Sequence, residues 1–344
     1  MTAAPIALNS LDRRIWQEEL DAFVPKKVFD VHTHIYRWAF NLDPQKEQSS
    51  YKALLGETWA EATWNLANAC DEVLFPGRQV HRLSFPFPFP KPCDFDGSNR
   101  FVAEQASADP QSASLMLVHP GTTTEEAEAE LDRHGHIGFK PYRFYSATGD
   151  AVECRMTDFL PEHLIALAHR RRLIIMMHIS KRDAIADPEN IADLLYLCEK
   201  YPGVRWILAH CARSYSAWAI ESAAKQLRGL PNVWYDTSSV CESDSFDALY
   251  STVGPDRVMY GSDDIPIGVL RGKYIAFGRA WAYLSESNHS LGLAHCDGRM
   301  TFTRYEQLRA MQRGARRAGM TAAQNQALFY HTAAALVAAA AAGK

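Results

Sequence analysis

The sequence has no Cys-x-x-C pair, and its seven cysteines, from Cys70 to Cys296, are an odd number. A disulfide scaffold is therefore not expected, and the thiols read as reduced core residues of a cytoplasmic protein. Long runs of positive charge are also missing. The densest cluster is Arg170-Arg171-Arg172 and the net charge is −4, so nucleic acid is not expected as a partner. The longest apolar run, Ala333–Ala342, is too short to span a bilayer, so no membrane association is expected. Leu11-Asp12-Arg13-Arg14 breaks any apolar leader early. Low-complexity linkers and internal repeats are absent as well. What remains is ordinary globular composition, 344 residues with 47% hydrophobic and 22% charged, read as a single domain over residues 1–344.

The chain is organised around Val28-Phe29-Asp30-Val31-His32-Thr33-His34, which reads as a buried strand. A helix over Leu8–Phe23 precedes it. An inserted segment, 35–99, follows. It holds an expected helix over Thr58–Ala69, a strand within Gln79–Phe85, and the run Phe85-Pro86-Phe87-Pro88-Phe89-Pro90-Lys91-Pro92. Repeated proline keeps that run extended, and its aromatics can wall a pocket.

From there strands and helices alternate. Strands are expected at Ser114–His119, Ile137–Phe144, Leu173–Ile179, Val204–Cys211, Val233–Thr237 and Arg257–Ser262. Between them lie helices at Thr124–His134, Asp158–Arg171, Pro188–Tyr201, Tyr215–Arg228 and Ser245–Thr252. A long loop, 264–300, and helices at Tyr305–Ala318 and Ala322–Ala341 complete the chain. Short apolar strands, each followed by a helix, argue for an α/β fold with a parallel sheet. Eight such units suit a (β/α)8 TIM barrel. An open doubly wound sheet is the alternative.

Polar residues recur at the strand ends, which favours the barrel. The first strand ends in His32 and His34, whose i, i+2 spacing puts both on one face. Later strands end in Lys140, His178, His210 and Asp263. Any one of these has a bland reading as a hydrogen-bonded core histidine, a helix cap or an ion-paired lysine. Together, at one face of a barrel, the imidazoles and the carboxylate form a donor set for zinc or a similar divalent ion. Such an ion activates water for attack, and a nearby carboxylate or imidazole can take the proton. His119 also ends a strand. The other histidines read as structural or exposed.

These residues resemble the amidohydrolase superfamily, and within it the amidohydrolase-related group that includes aminocarboxymuconate-semialdehyde decarboxylase. The motifs are Phe29-Asp30-Val31-His32-Thr33-His34, Gly138-Phe139-Lys140, Met177-His178, Leu208-Ala209-His210 and Val258-Met259-Tyr260-Gly261-Ser262-Asp263. The resemblance implies metal ligation by His32, His34, His178 and Asp263, with His210 contacting the ion or its water. It also implies Asp263 as a general base in hydrolytic members. A carboxylated Lys140 bridging two ions stays open; one ion is favoured, zinc first and manganese second. The chain departs from the family in Cys211-Ala212-Arg213 after His210 and in His331-Thr332-Ala333 near the end.

The expected function is metal-dependent hydrolysis of an amide, lactone or ester of a small carboxylated molecule. Asp263, His210 and Lys140 are the expected catalytic groups, and Lys140 and Arg143 the carboxylate binders. Non-oxidative decarboxylation on the same metal site and a catalytically inactive binding barrel are the alternatives. The related group often forms dimers, so a homodimer is compatible with the resemblance.

Overall fold

The structure, a computed structural model, describes residues 5–43, 59–285, 288 and 292–343. Helix α1 (Ser10–Ile15) is capped by Asn9 and continues as a π turn to Leu20. Strand β1 (Lys27–His34) is buried at every residue but the first, as a strand covered on both faces must be. Helix α2 (Trp64–Leu74), capped by Thr63, leads to β2 (Gln79–Phe85). Helix α3 (Phe95–Ala106), capped by Asp94, leads to β3, which is interrupted once (Ala113–Ser114, Met116–Val118).

The regular part follows: α4 (Thr124–His134), β4 (Gly138–Pro141), α5 (Glu162–Arg170), β5 (Ile174–Met177), α6 (Pro188–Lys200) and β6 (Arg205–Leu208). Then come α7 (Ala217–Leu227), β7 (Val233–Asp236), α8 (Ser243–Val253) and β8 (Val258–Met259). An antiparallel hairpin, β9 (Gly272–Phe277) and β10 (Ala280–Ser285), precedes α9 (Thr303–Arg317) and the last helix, α10 (Thr332–Ala341). Local chemistry explains the helix starts. Thr123 and Glu126 form a capping box on α4, and Asp187 caps α6 ahead of Pro188, which satisfies amide groups that have no partner inside the helix.

The strands form two parallel ladders, one of three strands and one of six. The ladders meet along β3, whose first half pairs with β2 and second half with β4. They meet again where β1 lies beside the end of β8. There Val31 N–H donates to Tyr260 O (3.0 Å) and Asp263 N–H to His32 O (2.9 Å), and Thr33 bridges Asp264. Backbone hydrogen bonds thus run around all eight strands, and the fold is a TIM barrel with a sparse seam between β8 and β1.

Side-chain alternation sorts the strands into two layers. Ile174, Met176, Ile207 and Met259 join Phe29, Val31 and Leu83 in one cluster, closed off by Leu336 and Val337 of α10. Ile175, Met177, Trp206, Leu208 and Val258 pack outward among the helices. Gly138 lets β4 approach β5, since a Cβ there would lie 1.9 Å from Ile174 O.

Several expected elements shift. The helix expected over Thr58–Ala69 starts at Trp64, where Thr63 caps it; residues 44–58 lie outside the described residues. The inserted segment supplies the expected helix and strand as α2 and β2, and also the start of α3, which was not expected. The helix expected over Asp158–Arg171 is broken at Leu160-Pro161 into a short turn, Met156–Phe159, and α5, because Pro161 cannot donate a helical hydrogen bond. The loop at 264–300 contains the β9–β10 hairpin.

Candidate metal centre and active site

The C-terminal ends of the strands carry the polar residues. Side chains His32 and His34 leave the end of β1 and converge on one atom. Their Nε2 atoms lie 3.3 and 3.4 Å from Asp263 Oδ1. Ligand atoms of His32, His34 and Asp263 all lie within 4.8 Å of one another. Two donors at about 2.0–2.1 Å from a tetrahedral zinc are separated by about 3.3–3.4 Å, so this spacing suits a shared ion.

Hydrogen bonds fix which imidazole nitrogen is free. The Nδ1 of His32 faces Asp236 Oδ2 at 2.8 Å. That of His34 faces Pro86 O, and that of His178 faces Ile179 O, both at 3.3 Å. The Nδ1 of His210 lies 3.1 Å from Ser238 O. Each of these partners accepts, so each Nδ1 carries a proton, and in the neutral ring Nε2 then keeps its lone pair. This is the tautomer a metal-binding or proton-accepting imidazole needs.

Electrostatics agree. Burial lowers His34 and His210 to about 4. Burial, then the positive potential of His210 and Arg143, puts His178 well below the usual imidazole range. These three rings are neutral at pH 7. His32 differs: burial pushes it down, but Asp236 and Asp263 outweigh that and raise it. Burial opposes ionisation of Asp263, yet contacts with His32 and His34 hold it well below the carboxylate range. The negative charge gathered here is charge that a divalent ion neutralises.

His178 follows β5 directly. Its ring centre is 5.0 Å from that of His210, which is 4.9 Å from that of His32. His210 does not end a strand as expected. It opens a turn, His210–Arg213, with φ of 58, 52, 56 and 56°. Successive left-handed residues are rare, because each costs about 1–2 kcal/mol for a residue with a Cβ. Asp236, at the end of β7, holds this turn by accepting from His210 N–H at 2.8 Å.

Lys140, near the end of β4, has its amine fully buried with no hydrogen-bond partner among the described residues. It lies 4.3 Å from the Phe85 ring centre and 5.1 Å from that of Tyr142. Burial lowers it to about 7, against the pull of Asp236 and Asp263. Arg143 reaches the same cleft and donates to Ala151 O. The cleft encloses about 650 Å3 and is walled by Phe87, Tyr142, Phe144, Tyr215 and Tyr274 above His32, His34, His178, His210 and Asp263.

All seven expected site residues therefore meet at one end of the barrel. His119 instead lines a separate cleft beside Phe95 and Glu126. Sequence reasoning missed Asp236, Ser238 and Ser239. Ser239 donates its hydroxyl proton to Asp263 Oδ2, and Ser238 Oγ touches Asp236, His32 and His210. Asp236 was within reach, since it ends the one later strand with a terminal carboxylate that was not weighed. It also missed Asp30, which accepts from His32 N–H (3.0 Å) and Ser262 N–H (2.9 Å), and Arg304, which pairs with Asp71 and Asp264 beneath the site.

A parallel barrel with a His-x-His strand end facing an aspartate across the β1–β8 seam defines a class of metal-site TIM barrels. The amidohydrolase family model matches residues 92–338, and the chain belongs to that family, whose members are enzymes. A search of the curated proteins found no match. Among solved structures, the chain is similar to an amidohydrolase from Burkholderia multivorans with bound zinc (16% identity, TM-score 0.59, covering 90% of this chain and 99% of that one). It is similar to a provisionally assigned 2-pyrone-4,6-dicarboxylic acid hydrolase from Pseudomonas putida (18%, 0.57, 92% and 98%). It is also similar to a dihydroxybenzoic acid decarboxylase from Polaromonas with bound manganese and the inhibitor 2-nitroresorcinol (12%, 0.55, 91% and 96%). No helix among the described residues is long and apolar enough to cross a membrane.

Proposed function

We propose that the chain is a metal-dependent hydrolase that cleaves an amide, lactone or ester of a small carboxylated molecule. The observation that carries this reading is the convergence of His32 and His34 Nε2 on Asp263 Oδ1, at 3.3 and 3.4 Å, on the floor of the cleft. His32, His34, His178 and Asp263 would hold one divalent ion, zinc or manganese. When bound, that ion supplies Lewis-acid polarisation and lowers the pKa of water.

The chain's own residues do the rest. His210 Nε2, neutral and aimed into the cleft, takes a proton from the attacking water and returns it to the leaving group. Asp263 is less suited to that role, because Ser239 already occupies its Oδ2. Lys140 and Arg143 supply positive charge for a substrate carboxylate. The aromatic walls exclude bulk water and strengthen these interactions. One ion is favoured over two, because Lys140 would first have to be carboxylated to bridge a pair.

A second reading rests on the same walls. Phe87, Tyr142 and Phe144 line the cleft, and the rings of Tyr142 and Phe144 lie within 9° of parallel; such aromatic walls suit a planar unsaturated carboxylate, so loss of carbon dioxide is the competing outcome. Metal analysis of purified protein, with product identification on lactones, N-acyl amino acids and unsaturated carboxylates, decides between them. Ring-opened or deacylated acids support hydrolysis. Carbon dioxide without water addition replaces it with decarboxylation. Protein that gains no metal and turns over none of these substrates sinks both.

A further inference from the structure

Asp236 is fully buried and makes four hydrogen bonds. Its Oδ2 accepts from His32 Nδ1–H at 2.8 Å. Its Oδ1 accepts from His210 N–H at 2.8 Å, from Ser238 N–H at 3.0 Å and from the Ser238 hydroxyl at 2.5 Å. The Ser238 hydroxyl has one proton, and Asp236 is its charged acceptor. Its oxygen is left to accept, and His210 Nδ1 lies 2.8 Å away. His210 Nδ1–H is thus shared between Ser238 O at 3.1 Å and the closer Ser238 Oγ, and the side-chain branch runs on through Oγ–H to Asp236 Oδ1, while the other carboxylate oxygen holds His32.

The geometry points to Asp236 and Ser238 as a positioning pair in which one carboxylate serves two imidazoles: it fixes the donor tautomer of His32 directly and the orientation of His210 through the serine. The pair acts through other residues and touches no substrate. This rests on the reading of His210 as proton acceptor. The two halves fail separately, because the atoms they use differ.

A carboxylate can only accept, so His32 must place its proton on Nδ1 and leave Nε2 for the ion. In Asp236→Asn the oxygen can still serve the amides of His210 and Ser238. The amide nitrogen then faces His32 Nδ1 as a second donor. The imidazole escapes this clash by moving its proton to Nε2, the atom that faces Asp263. Ser238→Ala is the complementary change: it removes the hydroxyl that joins His210 to Asp236 and its longer contact with His32, and leaves the direct bond from His32 to Asp236 and the contact of His210 with Ser238 O.

The test measures zinc and manganese dissociation constants, kcat, KM and the 15N shifts of the imidazoles in wild-type protein and both variants. Asp236→Asn is expected to weaken metal binding about 10- to 100-fold, as loss of a ligand's hydrogen-bond partner does, and to move the His32 proton to Nε2. Ser238→Ala is expected to keep metal affinity within about twofold and KM unchanged, while kcat falls about tenfold. Wild-type kcat in Ser238→Ala, or metal loss in it as large as in Asp236→Asn, overturns the pairing. If Asp236→Asn fails to fold, Ser238→Ala decides alone. If wild-type protein binds metal but turns over no substrate, the functional reading fails, while metal affinity and the imidazole shifts still test the hold of Asp236 on His32.

Discussion

Replacing Lys140 by methionine should make the metal-free protein more stable at neutral pH. The amine is fully buried without a hydrogen-bond partner among the described residues, and its pKa falls from 10.5 to about 7. A lowered basic group means the unfolded chain binds a proton more tightly than the folded one. Between pH 7 and 10.5 the unfolded state is charged and the folded state neutral, so stability rises with pH across that window. Below pH 7 both states are charged and the full cost of burying the ammonium is present. At about 1.4 kcal/mol per tenfold change, the gap corresponds to at most about 5 kcal/mol. Methionine fills similar volume and contacts Phe85 and Tyr142 without that cost. The assay is urea unfolding of chelator-treated wild-type and Lys140→Met protein at pH 6, 8 and 10. The stability difference should be largest at pH 6 and shrink towards zero near pH 10. A difference that does not vary with pH, or a variant less stable at pH 6, refutes the reasoning. The same variant should lose turnover, a trade of activity for stability.

His178→Ala is expected to lose metal on dialysis, while His210→Asn keeps most of it and loses turnover; elemental analysis with steady-state rates checks both. A fully metallated and active His178→Ala protein would remove that residue from the ligand set. Arg304→Met strands Asp264 in the interior, since Asp71 keeps Arg82 as a partner. It should cost about 3–5 kcal/mol in urea unfolding, as breaking a buried pair does. Gly138→Ala should leave little folded protein, because backbone at Ile174 blocks a new Cβ; circular dichroism and gel filtration report it.

The barrel and the convergent histidines were legible because both follow periodic rules. Apolar runs such as Ile174–Met177 mark covered strands, and a histidine directly after one, as His178 is, becomes a candidate for the barrel mouth. What escaped has no such signature. The left-handed turn at His210–Arg213 is built from ordinary residues, and a carboxylate twenty-six positions away holds it. Asp236, Thr237, Ser238 and Ser239 read as turn-formers, and only the fold shows two of these hydroxyls on an imidazole and a carboxylate. Helix α3 carries Gly97, Ser98 and Asn99 in its first turns, residues of poor helix propensity, and tertiary packing overrides that preference. The β9–β10 hairpin lies in a stretch whose alternation is weak and half-exposed.

The sparse seam has a bearing on biosynthesis. His32 is made early, but the oxygen it shares with His34 belongs to Asp263, and the two edges are stitched by only a few amides around Asp264. A nascent polypeptide on the ribosome therefore lacks the full set of side chains until the eighth barrel strand emerges and docks against the first. For the proposed metal site this would make cation capture a late event in maturation, with occupancy reporting that the ring has closed.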